Sequence, residues 1–204
     1  PSNPVNAEID QKPWGIAPAI SEQIYTLEDA LLFAGMQMVI LRNADVIKIA
    51  CQSLLTNISA CIMTEKNGEY WLQTIYYPFH YFATYAKGTV LKTASIGPCY
   101  SCAEFDGVPY VDSLVVWNEE DQELVIFAVN RSEEELQKAE VDLQDFEIQH
   151  VIESICMTAE NKKMTNMEQH DAVIPKKEKN VEIETGRCQI ALQPLSFNMV
   201  RLAV

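Results

Sequence analysis

Cys99 and Cys102 form a C-x-x-C, the spacing at which two thiols share a metal ion or exchange a disulfide. An ordinary zinc site needs a second such pair or two well-spaced histidines. His80, His150 and His170 do not supply them. The two cysteines are therefore read as thiols at the entry to a strand, and no metal or cofactor is expected. With Cys51, Cys61, Cys156 and Cys188 they make six cysteines, a set that leans toward a reducing interior. Glu65 and Glu69 are the carboxylates of a polar passage between residues 52 and 77, and nothing in their position makes them a catalytic pair. His80 lies in an aromatic run with Phe82 and Tyr85 and has no carboxylate or cysteine at a helical offset, so it reads as structural. Asn57-Ile58-Ser59 and Asn130-Arg131-Ser132 are glycosylation tripeptides, meaningful only in a glycosylating compartment.

Composition narrows the partners. The 204 residues carry 29 acidic and 15 basic side chains, a formal net charge of -14. That balance argues against nucleic acid and against anionic membranes. No apolar run is long enough to span a bilayer, and the start has no charged-then-apolar signal pattern. The chain begins with Pro1 rather than methionine, and is expected to be a processed or cut product.

The elements that would hold these residues fall into two grammars. Residues 1–20 contain Pro1, Pro4, Pro13 and Pro18 and read as a strap or linker. From Thr26 the pattern turns helical, with Thr26 as N-cap and Asp29 in capping-box position. Leu27, Ala30, Leu31, Ala34, Met38 and Leu41 share one face. Leu32, Phe33, Met36, Val39 and Ile40 fill much of the rest, so this helix should be buried on several sides. Asn43, Ala44 and Asp45 stop it. Residues 46–51 form a β-branched run of the kind found in buried strands. Gln52, Ser53, Thr56 and Asn57 then make a loop-like passage, Lys66-Asn67-Gly68 a turn, and Pro78 opens a second short helix that Lys87 and Gly88 end.

Beyond Gly88 the pattern is that of strands. Residues 111–117 and 124–129 flank an acidic turn and read as a hairpin. Residues 139–143, 147–156, 188–192 and 197–203 are further strands, and together they predict an antiparallel sandwich. Glu133 to Glu135 reads as a solvated acidic turn. Residues 158–180 are a long polar excursion, either a loop or a mobile flap.

One resemblance ties these segments together. Tyr25-x-Leu27-Glu28-Asp29-Ala30-Leu31, Asn43-Ala44-Asp45-Val46-x-Lys48-Ile49-Ala50-Cys51, Ile62-Met63-Thr64-Glu65 and Trp71-x-Gln73-Thr74-Ile75-Tyr76-Tyr77-Pro78-Phe79 occur in that order. Val108-Pro109-Tyr110, Phe127-Ala128-Val129-Asn130-Arg131 and Pro194-Leu195-Ser196-Phe197-Asn198-x-Val200-Arg201-Leu202 complete the series. From about Pro13 onward the chain resembles the C-terminal region of the glycoside hydrolase family 51 α-L-arabinofuranosidases.

The resemblance implies a mainly β fold: a C-terminal antiparallel, jelly-roll-like sandwich over residues 88–204, preceded over 1–87 by an α/β remnant of the end of a (β/α)8 barrel. In that frame 46–51 is the last barrel strand, and the following loop rises from the rim where such barrels place their chemistry. The sandwich would lack a strand, because in the family the N-terminus of the whole enzyme contributes to it. Family members cleave terminal arabinofuranosyl groups from arabinan- or arabinoxylan-type glycans with retention, which takes two carboxyl groups about 5 Å apart.

In the family one glutamate follows an Asn on an earlier barrel strand, and the nucleophile lies in a Glu-Trp-Asn motif. Neither barrel-strand motif occurs in this sequence. Aligning Pro13-Trp14 would put the nucleophile a few residues before Pro1. No residue of this chain is therefore expected to be catalytic. Gln52, Asn57 and Trp71 are the candidate substrate-binding residues, and Leu54 stands where the family commonly shows a sugar-holding Gln. The alternative is a non-catalytic structural or carbohydrate-contacting sandwich module. A helix and a strand built for burial are expected either to pack back on the sandwich or to form a homo-oligomer interface.

Overall fold

A strand with a continuous apolar run needs cover on both faces, and the hairpin at the centre of this protein carries two such runs, residues 114–117 and 124–129. The computed structural model describes residues 22–143 and 145–204, with Trp14 and Ile16. The expected strap at residues 1–20 lies almost wholly outside the described residues. In chain order the elements are α1 (Leu27–Arg42), β1 (Ile62–Thr64), β2 (Tyr70–Leu72), α2 (Tyr76–Tyr85), β3 (Thr89–Leu91), β4 (Cys99–Tyr100), β5 (Val108–Pro109), β6 (Val111–Asn118) and β7 (Glu123–Asn130). They continue with β8 (Gln137–Asp142), β9 (His150–Met157), β10 (Lys176–Lys177), β11 (Val181–Glu184), β12 (Arg187–Leu192) and β13 (Ser196–Ala203).

Six strands form an antiparallel sheet in the order β10-β9-β13-β7-β6-β3, and three form a second in the order β11-β12-β8. β13 sits between β9 and β7, and β7 pairs with β6 in the expected hairpin, from Val111↔Asn130 to Asn118↔Glu123. Alternation along β6 and β7 sends side chains to two different cores. Val115, Leu124, Ile126 and Ala128 pack with Val200 and Leu202 of β13 against Cys188, Ile190 and Leu192 of β12. Leu114, Val116, Val125, Phe127 and Val129 point the other way, into a core shared with α1 and α2. The larger sheet is thus the middle layer, with the smaller sheet on one face and two helices on the other.

Local chemistry explains why the helices sit there. The Thr26 hydroxyl accepts from Asp29 N at 3.2 Å and the Asp29 carboxylate accepts from Thr26 N at 2.8 Å, the expected capping box. Two further first-turn donors are satisfied from far along the chain, Leu27 N by Met164 O and Glu28 N by Lys162 O, both at 2.9 Å. Leu27, Ala30, Leu31, Ala34 and Met38 are the buried face of α1. From α2, Phe82 stacks on Phe127 with ring centroids 4.3 Å apart and reaches Phe197 at 5.8 Å. At the other end of α1, Asp112 of β6 joins Arg42 at 2.5 Å and Arg131 at 2.9 Å.

Two sequence expectations change. Residues 46–51 are not a strand: they follow a turn in which Val46 N and Ile47 N donate to Asn43 O, and Val46 and Ile49 are 77% and 84% exposed. A β-branched run becomes a strand only with a ladder partner and covered faces. Among the described residues nothing pairs with it. Likewise α1 is buried on one face only, and Leu32, Met36 and Val39 are exposed. The excursion over 158–180 is a held loop rather than a flap, ending in the short strand β10. The fully buried Asn166 donates to Leu72 O and Val173 O and accepts from Val173 N.

Gly88 joins the helical layer to β3 with φ +113, and a Cβ there would lie 2.1 Å from Trp117 O. No L side chain fits that contact, and the backbone angle is strained for any residue but glycine. Gly88→Ala is expected to cost about 3 kcal/mol, read as a lowered urea midpoint with an unchanged slope.

Candidate functional site

Helix α1 ends at Arg42, and the chain then runs exposed through residues 43–56, the half-buried Gln52 apart, before Ala60 and Cys61 are buried ahead of the β1–β2 hairpin, so Gln52 and Asn57 hang on a loop that needs anchoring. The anchor is Gln73, fully buried: its Oε1 accepts from Tyr25 N, and its Nε2 donates to Gln23 O and Ala60 O, all at 2.8 Å. Thr74, equally buried, donates to Thr26 O at 2.7 Å. These two side chains tie Ala60, at the far end of the loop, and residues 73–74, beyond the hairpin, to the backbone just before α1. Buried polar groups so fully paired hold one arrangement.

The three candidate side chains sit in different surroundings. Asn57 has φ 66, a left-handed angle that asparagine tolerates. Its Oδ1 accepts from Thr64 N at 2.8 Å and its Nδ2 donates to Thr64 Oγ1 at 3.0 Å, so it clips the loop to β1. Gln52 is half-buried, and its Nε2 makes long contacts of 3.3 and 3.4 Å to Ser53 O and Ser59 O. Trp71, in β2 opposite Met63, is only 6% exposed. It packs with Ile24 and Met63 and stacks on His170 with centroids 5.5 Å apart. Leu54, at φ 60, points no polar group anywhere and is exposed.

Glu65 and Glu69 face each other across the tip of the hairpin, where Glu65 N donates to Glu69 O at 3.0 Å, and both are exposed. An open turn gives neither carboxyl an enclosed pocket in which to meet a substrate. His80 lies on the exposed side of α2, between the rings of Tyr76 and Tyr81. Among the described residues no group of three or more His, Cys, Asp or Glu is placed to hold a metal, and no helix is long and apolar enough to cross a membrane.

What sequence reading missed is a groove of about 910 Å³ along the outer face of α1. Leu32, Met36 and Val39 line one wall; Tyr100, Tyr110 and Arg131 belong to the other. Glu28, Glu133, Glu134 and Glu135 make part of the lining acidic, and Lys162 pairs with Glu133 at 2.6 Å. The signal was present in the second apolar face of α1.

Comparison with known proteins bears on this arrangement. A family model of the α-L-arabinofuranosidase C-terminal domain matches residues 4–196. An intracellular exo-α-(1→5)-L-arabinofuranosidase of Halalkalibacterium halodurans is 42% identical over 190 residues, which is 93% of this chain and 38% of that protein. An intracellular exo-α-(1→5)-L-arabinofuranosidase 1 of Bacillus subtilis is 40% identical over 96% of this chain and 39% of its own length. The chain thus spans about two-fifths of the curated relatives it matches. The solved structure of a family 51 α-L-arabinofuranosidase from Bifidobacterium longum superposes with a TM-score of 0.85 at 28% identity, covering 95% of this chain and 38% of that one.

Burial pushes the thiols of Cys61, Cys156 and Cys188 up to about 11, about 12 and about 11, from an ordinary value of 9.0. A folded-state value above the unfolded one means that the unfolded chain loses its protons first as pH rises. Stability is therefore expected to hold below pH 9 and to fall progressively between about 9 and about 12. Urea midpoints measured across that range should show the fall, with a shallower slope in Cys156→Ala.

Proposed function

Because the chain belongs to the α-L-arabinofuranosidase C-terminal domain family, matching it over residues 4–196, we propose that it is the sandwich-bearing end of a retaining α-L-arabinofuranosidase. The substrates are terminal arabinofuranosyl groups of arabinan- or arabinoxylan-type glycans. Retaining hydrolysis takes two carboxyl groups and water, with no cofactor. Both carboxyl groups come from an upstream barrel, and this chain by itself is inactive. Residues 1–87 are the end of that barrel and residues 88–204 the sandwich domain.

The observation that carries this reading is the uncovered apolar surface of Leu32, Met36 and Val39 on α1, continued in sequence by Val46, Ile49, Leu54 and Leu55. Burying one such side chain is worth about 1.5–3 kcal/mol, so several left in water make a strong demand for cover. Barrel elements meet that demand. Paired with a neighbouring barrel strand, 46–51 takes up the strand conformation its β-branched composition favours. The loop after it then faces the sugar, with Gln52 and Asn57 offering amide groups and Trp71 stiffening the loop from the adjoining hairpin. Among the described residues β8 is an edge of the smaller sheet, and a cleft of about 1020 Å³ lined by Leu91, Ile126, Val141, Phe146 and Ile190 lies between the sheets. Both support a further strand there, from the missing part of the polypeptide.

Two measurements test this. The 204-residue protein should show no turnover of an aryl α-L-arabinofuranoside, and turnover that Glu65→Gln abolishes would overturn the assignment of chemistry to the upstream part. With its apolar surface uncovered, the same protein should associate in sedimentation experiments, and Met36→Lys should shift it toward monomer. A monodisperse monomer in the unsubstituted chain would speak against an exposed barrel-facing surface.

A further inference from the structure

The six thiols divide cleanly. Cys61, Cys156 and Cys188 are buried and Cys51, Cys99 and Cys102 are exposed. The buried three are shut away from oxidants, and their raised pKa values keep them as unreactive thiols at neutral pH. Cys51 stands on the exposed stretch after α1, far in sequence from any other exposed thiol. Cys99 stands on one arm of a hairpin and Cys102 in its loop, with two residues between them.

That hairpin is weakly held. β4 and β5 share two residue pairs, Cys99↔Pro109 and Tyr100↔Val108, and Pro109 has no N–H to give to the ladder. Tyr110 N donates to Pro98 O at its base, and Cys102 N donates to Phe105 O in its loop. Residues 92–99 and 101–107 are exposed throughout. The ring of Tyr100, packed on Tyr110 at 5.0 Å, is the one large side chain of the β4 arm set against another ring. Little core packing opposes a change of shape here.

We propose that Cys99 and Cys102 are a redox modification site, a dithiol that low-molecular-weight disulfides of the glutathione type convert to a bridge within the loop. One thiolate attacks a sulfur of glutathione disulfide, the S–S bond breaks, and glutathione leaves as a thiolate that takes up a proton. The second cysteine thiolate attacks the protein sulfur of the mixed disulfide and releases the second glutathione. Two protein thiols are oxidised and one glutathione disulfide is reduced to two glutathiones.

The bridge has a structural consequence. A disulfide requires Cα atoms about 4.4–6.8 Å apart, and the strand conformation of Cys99–Tyr100 carries the chain away from Cys99 at about 3.3 Å per residue. Closing the bridge therefore bends the chain at β4, against the Cys99↔Pro109 pair and the packing of Tyr100 on Tyr110. Both rings line the groove beside α1, so oxidation reshapes the end of the groove that they form.

The test is to equilibrate the protein with glutathione disulfide, alkylate with iodoacetamide, and map the adducts by mass spectrometry after tryptic cleavage. Cleavage after Lys92 and Arg131 leaves Cys99 and Cys102 on one peptide free of other cysteines. The expected peptide lacks two hydrogens, carries neither glutathione nor alkyl group, and becomes doubly alkylated after reduction by dithiothreitol. Cys51 should carry glutathione, and in Cys102→Ser so should Cys99. Separate glutathiones on Cys99 and Cys102, or alkylation of both after oxidation, would overturn the proposal.

Discussion

Everything in this fold follows from a sheet whose central strands, β7 and β13, have no face to show to water. β7 reads Leu-Val-Ile-Phe-Ala-Val between Glu123 and Asn130 and is buried from Leu124 onward. A layer of that composition is stable only between two other layers. The smaller sheet covers one side through Cys188, Ile190 and Leu192 of β12. The other side falls to α1 and α2, whose Leu27, Met38 and Phe82 complete the core around Phe127 and Phe197. The helices are therefore bound to the sandwich by the same force that holds the sandwich together.

Elements with a local cause were legible in the sequence. The Thr26–Asp29 capping box, the β6–β7 hairpin, and β9, β12 and β13 follow from caps, turns and apolar runs, and all stand where those signals put them. The run at 46–51 misled because β-branched composition reports a fitness for burial, and burial needs a neighbour. β11, in which Val181 and Ile183 alternate with Glu182 and Glu184, hid at the end of a polar excursion. The excursion over 158–180 read by composition as either a loop or a mobile flap. The hydrogen bonds that hold it, through Asn166 and the carbonyls of Lys162 and Met164, join residues too far apart in sequence for any periodicity to report.

The candidate site shows the same division. Gln52 and Asn57 were found as polar loop residues, and the family resemblance gave them a role to be tested. Gln73, which holds that loop to the start of α1 with three hydrogen bonds, looked like one more residue of an aromatic motif. A glutamine among apolar neighbours is the sequence signal that could have found it, because a buried amide is stable only when nearly all its donors and acceptors are paired. Trp71 lies in a cluster with Ile24 and Met63, and its ring is covered by His170 from the distant loop.

The first turn of α1 leans on the carbonyls of Lys162 and Met164, and β13 runs between β9 and β7. Both arrangements join the earliest described residues, or the middle of the chain, to segments made much later. Within this stretch α1 is made before the strands that receive it, and that layer cannot close until residues 196–203 have cleared the exit tunnel. Docking of α1 is consequently withheld until β13 has been made, and the nascent helix must be shielded or left waiting in the meantime.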